Sequence, residues 1–156
     1  MRTMTVFLLM TSVLMYWYFA NDQPVTRTQK TVAYGGVYQT YRKAVLYYVG
    51  NNPAFTGTVT TAALTAASLL PLGFTDLGYT NQILPAAVPP GRQVFVYGPN
   101  AVDPTVDVSI ASLEWGLSGV GVSKAGRIIS PALGIQHLIP FVLADGILIS
   151  YVEVTP

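Results

Sequence analysis

The chain has 156 residues, of which 51% are hydrophobic and 10% charged, with a formal net charge of +1 and no cysteine. About a quarter of an ordinary soluble protein is charged, so part of this surface is either neutral and polar or covered by lipid or partners. The composition excludes disorder, which needs low hydrophobicity and high net charge, and it excludes disulfides, thiolate metal sites and cysteine nucleophiles. Arg2, Arg27, Lys30, Arg42 and Lys43 face Asp22 alone within residues 1–60, while the remaining 96 residues are net acidic. Five cations spread over 60 positions make no dense stripe of the kind that displaces counterions from a nucleic acid, so none is expected as a partner.

Thr3 to Ala20 contains eighteen residues and no charge. As a helix rising 1.5 Å per residue it would span roughly 27 Å, close to one hydrocarbon core. Tyr16, Trp17, Tyr18 and Phe19 end the run as an interfacial aromatic belt, and Arg2 at the short end places the N-terminus in the cytoplasm. A cleaved signal peptide and a core helix buried in the domain are the rival readings. Cleavage after Ala20 would put Tyr18 where a small residue is required, so the run is expected to stay as an anchor.

A second helix is expected from Pro24, a residue suited to a first turn. Val37, Tyr41, Ala44, Val45, Tyr48 and Val49 recur along it at helical spacing. Gly35-Gly36 should kink it, and Asn51-Asn52-Pro53 should stop it. A short third helix follows, capped by Thr60 or Thr61 and ended by Leu70-Pro71. Residues 71–91, rich in Pro and Gly, read as one long loop, and such loops are more often kept for contact than for packing. Arg92–Tyr97 reads as a strand between glycines. Asp103-Pro104 then caps a helix with Val106, Ile110, Leu113 and Leu117 as its stripe, although the alternation over 106–110 also permits a strand.

Two hairpins are expected to close the chain. Val120–Ser123 and Arg127–Ser130 flank Lys124-Ala125-Gly126, and Leu138–Leu143 and Ile147–Val154 flank Ala144-Asp145-Gly146. Pro140 cannot donate to a ladder and should lie at an edge. Helices followed by hairpins imply an α+β class with a small antiparallel sheet.

No constellation for catalysis, cofactor or metal stands out, so no residue is assigned to any of these roles. Asp103 reads as a cap, Asp145 as a turn residue and Glu153 as a strand residue facing water, while Asp107 and Glu114, seven residues apart, belong to no recognised catalytic motif. His137, the one histidine, has no cluster of ligands around it. It could be imagined in a triad with Asp145, but no serine stands in a nucleophile elbow. Gly121 to Gly126 approaches a phosphate loop, yet Arg127-Ile128 follows where Lys and Ser or Thr are needed, so a hairpin turn explains the glycines. No small-molecule substrate is expected. The ten tyrosines suit interfaces as well as cores.

Several stretches carry a resemblance. They are Tyr38-Gln39-Thr40-Tyr41-Arg42-Lys43-Ala44-Val45 with Tyr48, Asn52-Pro53 with Thr56-Gly57, and Leu70-Pro71-Leu72-Gly73-Phe74. The strand Val94-Phe95-Val96-Tyr97-Gly98 and the segment from Val120-Gly121-Val122 through Gly126 to Ser130-Pro131 continue it. Together they resemble the PilM proteins of plasmid-borne thin-pilus systems, small type IV pilus biogenesis factors of the bacterial inner membrane. These are distinct from the actin-like ATPase that shares the name. The order of features also resembles the pilin-like head of minor pilins. The resemblance implies an anchor over residues 1–21, a periplasmic pilin-like α+β domain over 22–156, and no substrate or cofactor. Other pilus assembly proteins or minor pilins are the implied partners.

One departure matters. A prepilin carries a small residue before its cleavage point and a glutamate at the fifth position of the helix that follows, whereas this chain has no acidic residue before Asp22. An accessory protein is therefore expected, ahead of a minor pilin or adhesin in the fibre, and well ahead of a small secreted hydrolase.

Overall fold

The computed structural model describes residues 35–86, 91–100, 119–130 and 136–155. Within these, helix α1 runs through residues 35–51 and helix α2 through Thr61–Ala66. Six strands follow: β1 Thr80–Pro85, β2 Arg92–Asn100, β3 Val120–Lys124, β4 Arg127–Ile129, β5 Gln136–Leu138 and β6 Ile147–Val154. All pairings are antiparallel, in the order β1-β2-β6-β3-β4-β5. The α+β class and the antiparallel sheet are as expected. Among the described residues no helix is long and apolar enough to cross a membrane. The expected anchor over 3–20, the start of the second helix at Pro24 and the helix after Asp103 lie outside them.

The apolar stripe of α1 decides where it packs. Tyr38, Tyr41, Ala44, Val45 and Val49 are buried together with Ile83, Val94, Val96, Val120 and Leu148 from one face of the sheet. Gly35 and Gly36 stand in the first described turn, and the helix is continuous from there to residue 51. At its other end the last carbonyls find donors, as the final turn of any helix requires. The Asn52 amide donates to Tyr48 O at 2.8 Å, and the Arg92 guanidinium to Val49 O at 2.7 Å and Asn52 O at 2.9 Å. A cation at this end also complements the helix dipole.

Two buried polar groups fasten the helix to the middle of the sheet. The Tyr38 hydroxyl donates to Val96 O at 2.8 Å, and Arg42 Nε donates to Ser150 Oγ at 3.0 Å. Burial pushes the Tyr38 hydroxyl up to about 12, so it stays a neutral donor. Further along, Asn81 is fully buried and clamps three groups at once. Its carbonyl accepts from Val59 N at 2.9 Å, and its amide donates to Val59 O and to the Tyr41 hydroxyl, each at 2.8 Å. With the paired bonds between Gly57 and Ile83, this lays residues 57–59 along the outer edge of β1. An edge covered in this way is closed to further strands there.

Asp76 pins the loop before β1. Its carboxylate accepts from the Thr61 hydroxyl at 2.6 Å and from the amides of Gly78 and Tyr79 at 2.9 and 3.2 Å. The Thr61 bond, helped by the two amides, holds this carboxyl below the usual range. At the start of α2, Thr60 is the cap, accepting from Ala63 N at 3.2 Å.

Two sequence expectations are corrected. Residues 71–91 are not one loop, because Thr80–Pro85 forms β1. Asn81, a poor strand former by propensity, is held there by its side-chain bonds. The second hairpin does not form either. β6 pairs with β2 and β3, while β5 pairs with β4 at the sheet's edge. Pro140 cannot extend β5. The turn residues are also engaged elsewhere: Asp145 Oδ1 accepts from Ala125 N at 2.8 Å, and Ser123 Oγ donates to Ala144 O at 2.6 Å. Gly146, at φ +85°, supplies the positive φ that the sequence pointed to. The β3–β4 hairpin forms as expected, with Ala125 and Gly126 both at positive φ in its two-residue turn.

Two stability measurements check this scheme. Asn81→Ala leaves three buried groups without their partner and is expected to cost about 3 kcal/mol in urea unfolding; an unchanged midpoint would contradict the clamp. For Asp76 the folded state favours the charged form, so its contribution is full above the ordinary value of 3.8 and is lost as pH falls through the lower folded value. The deficit of Asp76→Ala against the parent should therefore be present at neutral pH and narrow below that value, whereas a deficit independent of pH would count against it.

Candidate interaction surface

Chemistry for a reaction does not converge in the described structure. Among the described residues no three of His, Cys, Asp and Glu stand close enough to hold a metal. His137 faces Ile128 across the β4–β5 pair, and its ring packs on Tyr151 with centroids 4.9 Å apart. Asp145 is occupied by a backbone amide, as described. Glu153 is exposed and accepts from the Tyr151 hydroxyl at 3.4 Å. The segment that approached a phosphate loop is the β3–β4 hairpin. A side chain at Gly121 would collide with the Ile129 carbonyl, at 2.5 Å from an added Cβ, so close strand packing accounts for this glycine. Asp103, Asp107 and Glu114 lie outside the described residues.

The surface offers contact instead, in two places. The first is built on the first described turns of α1. Tyr38, Tyr79, Tyr41 and Phe74 form an aromatic ladder, with successive centroids 5.6, 5.7 and 6.3 Å apart. It holds Phe74 against the helix. Phe74 N donates to Pro71 O at 3.1 Å and Gly73 lies at φ +79°. That geometry is a type II turn, whose third position needs glycine because an L side chain is disfavoured at positive φ. Leu72 occupies the second position and is fully exposed, while Leu70 before the turn is buried. Gly36, Val37 and Thr40 of α1 and residues 71–75 line an open groove of about 490 Å³, and none of them is charged. The Thr40 hydroxyl donates back to Gly36 O at 2.9 Å, so its polarity is satisfied within the helix. Within the expected loop, residues 71–75 remain outside the strands, while Thr80–Pro85 is β1.

The second place lies on the face of the sheet away from α1. Phe95, Ile128, Ile139 and Ile149 are buried there, with Tyr97, Phe141 and Tyr151 packed against them. Phe141 meets Phe95 edge-on at 5.3 Å, an arrangement that aromatic quadrupoles favour. The expected strand over Leu138–Leu143 is not one: Leu138 ends β5, and Ile139, Phe141 and Leu143 cover the sheet, held by Ile139 N donating to Gly126 O at 2.9 Å. Between Phe141 and Leu143, Val142 is fully exposed. Leu138 is 67% exposed, but it pairs with Arg127 while its neighbour His137 pairs with Ile128, so it stands on the α1 side of the sheet.

No curated protein and no solved structure matches the chain. The PilM family model matches residues 6–151, nearly the full length. The resemblance drawn from the Tyr38–Val45, Leu70–Phe74 and Val94–Gly98 stretches is thereby confirmed, and the chain belongs to the PilM family, a family of pilus biogenesis proteins.

Proposed function

We propose that the chain is a non-enzymatic accessory of type IV pilus biogenesis, anchored in the bacterial inner membrane by residues 3–20, with a pilin-like domain in the periplasm. The family match over 6–151 is the observation that carries this reading. The uncharged run of eighteen residues with its aromatic end supports the anchor. A helix laid across an antiparallel sheet is the arrangement that the resemblance to pilin heads implies. The engagement of Asp145, Glu153 and His137 in structural contacts favours a role without catalysis.

The domain acts by contact with other pilus assembly proteins or minor pilins. The segment around Val142, fully exposed between Phe141 and Leu143, is the surface proposed for that contact. Exposed apolar side chains at the edge of an aromatic cluster suit a protein interface, where such residues are removed from water by the partner. The lack of an acidic residue before Asp22 favours an accessory over a fibre subunit.

Deletion of the chain from a strain that makes these pili should abolish surface pili. The full chain should restore them, and the Val142→Glu variant should not, although it accumulates to normal levels. Mass spectrometry of sheared pili should find no copy of the chain. Normal piliation of the deletion strain contradicts the role, and stoichiometric recovery of the chain in sheared fibres contradicts the accessory reading in favour of a subunit.

A further inference from the structure

Leu72 is not explained by the fold that holds it. The second position of a type II turn asks for an ordinary negative φ, which proline or almost any residue supplies. At 106% exposure the side chain is buried against nothing in its own domain. It stands on the rim of a groove whose eight lining residues include no charge, with Val37, Pro71, Leu72 and Phe74 as its apolar members.

The place of this patch identifies its occupant. Gly36, Val37 and Thr40 belong to the first described turns of α1. Only fourteen residues separate Ala20, the end of the uncharged run, from Gly35. Of the two surfaces described, this one therefore stands nearer along the chain to the run read as the anchor, and an exposed leucine beside a groove lined by no charged residue suits the boundary between headgroups and acyl chains. We infer that the Pro71–Phe74 turn rests on the membrane surface with Leu72 inserted among the lipid headgroups, so that the domain is held at two points and its orientation is set. Val142, in the segment that covers the other face of the sheet, is then left for protein partners. This inference rests on the anchor reading proposed above.

The absence of cysteine permits a direct test. Full-length chain carrying Leu72→Cys, labelled with a polarity-sensitive fluorophore, is reconstituted into vesicles of phosphatidylethanolamine with a minority of phosphatidylglycerol. Val142→Cys, equally exposed on the other face, is the control. The label at 72 should shift to the blue and be quenched by lipids brominated near the headgroup, and the label at 142 should do neither. A chain that floats with the vesicles while its label at 72 stays water-like overturns the inference and leaves the anchor standing. A blue shift without bromolipid quenching marks a protein contact and overturns it too. A chain that does not float with the vesicles overturns the anchor and the inference together.

Discussion

The seating of α1 on the central strands β2 and β6 is the contact on which the other parts of the domain depend. Val94 and Val96 of β2 and Leu148 of β6 form the floor, and Tyr38, Tyr41, Val45 and Val49 fill it. Apolar burial on this scale is non-directional, so it does not by itself fix the register of helix on sheet. The directional groups do that. Tyr38 binds Val96 O, Arg42 binds Ser150, and Arg92 at the start of β2 takes the last carbonyls of the helix. A shift of one residue along the helix would break all three and leave buried polar groups unpaired, which is far more costly than the net value of any one bond.

Both surfaces follow from that seating. The register of α1 presents Tyr41 to Phe74 and Tyr79, and so fixes the 71–75 turn beside the first described turns of the helix. With α1 on one face of β2 and β6, the other face must find its own cover. Phe95 and Ile149 are as fully buried as Val94 and Val96, and the 139–146 connection supplies part of that cover. Among the described residues, the core under α1 on one face of the sheet and the aromatic cluster on the other leave an uncharged groove beside α1 and an exposed Val142 on the opposite face, and neither surface shows convergent reactive groups.

Much of this was legible locally. The stripe of α1, the cap at Thr60, the strand from Arg92 and the β3–β4 turn are all set by residues near in sequence, through periodicity, capping and turn chemistry. What could not be read was non-local. β1 is stabilised by Asn81 reaching back to Val59 and Tyr41, partners 22 and 40 residues away, while its neighbours in sequence look like loop. The partners of β6 are strands begun roughly 30 to 60 residues earlier, and the Asp145-Gly146 turn signal is equally consistent with a hairpin and with the crossing that occurs. The contact loop was legible as a Pro- and Gly-rich tract, but the exposure of Leu72 and Val142 is a property of the folded surface. The family was legible because its motifs are the structural ones: the α1 stripe, the Leu70–Phe74 turn and the β2 core strand.

The tether remains the central claim, since the periplasmic location, the accessory role and the lipid contact all presuppose it. Protease added to spheroplasts of the native host tests it most directly, with the chain detected through a tag at each end in turn. The account predicts a membrane-pelleted chain of full length whose C-terminal tag is lost to protease while a short N-terminal fragment is protected. A chain that begins near Asn21, or a full-length chain in the soluble fraction, would contradict it.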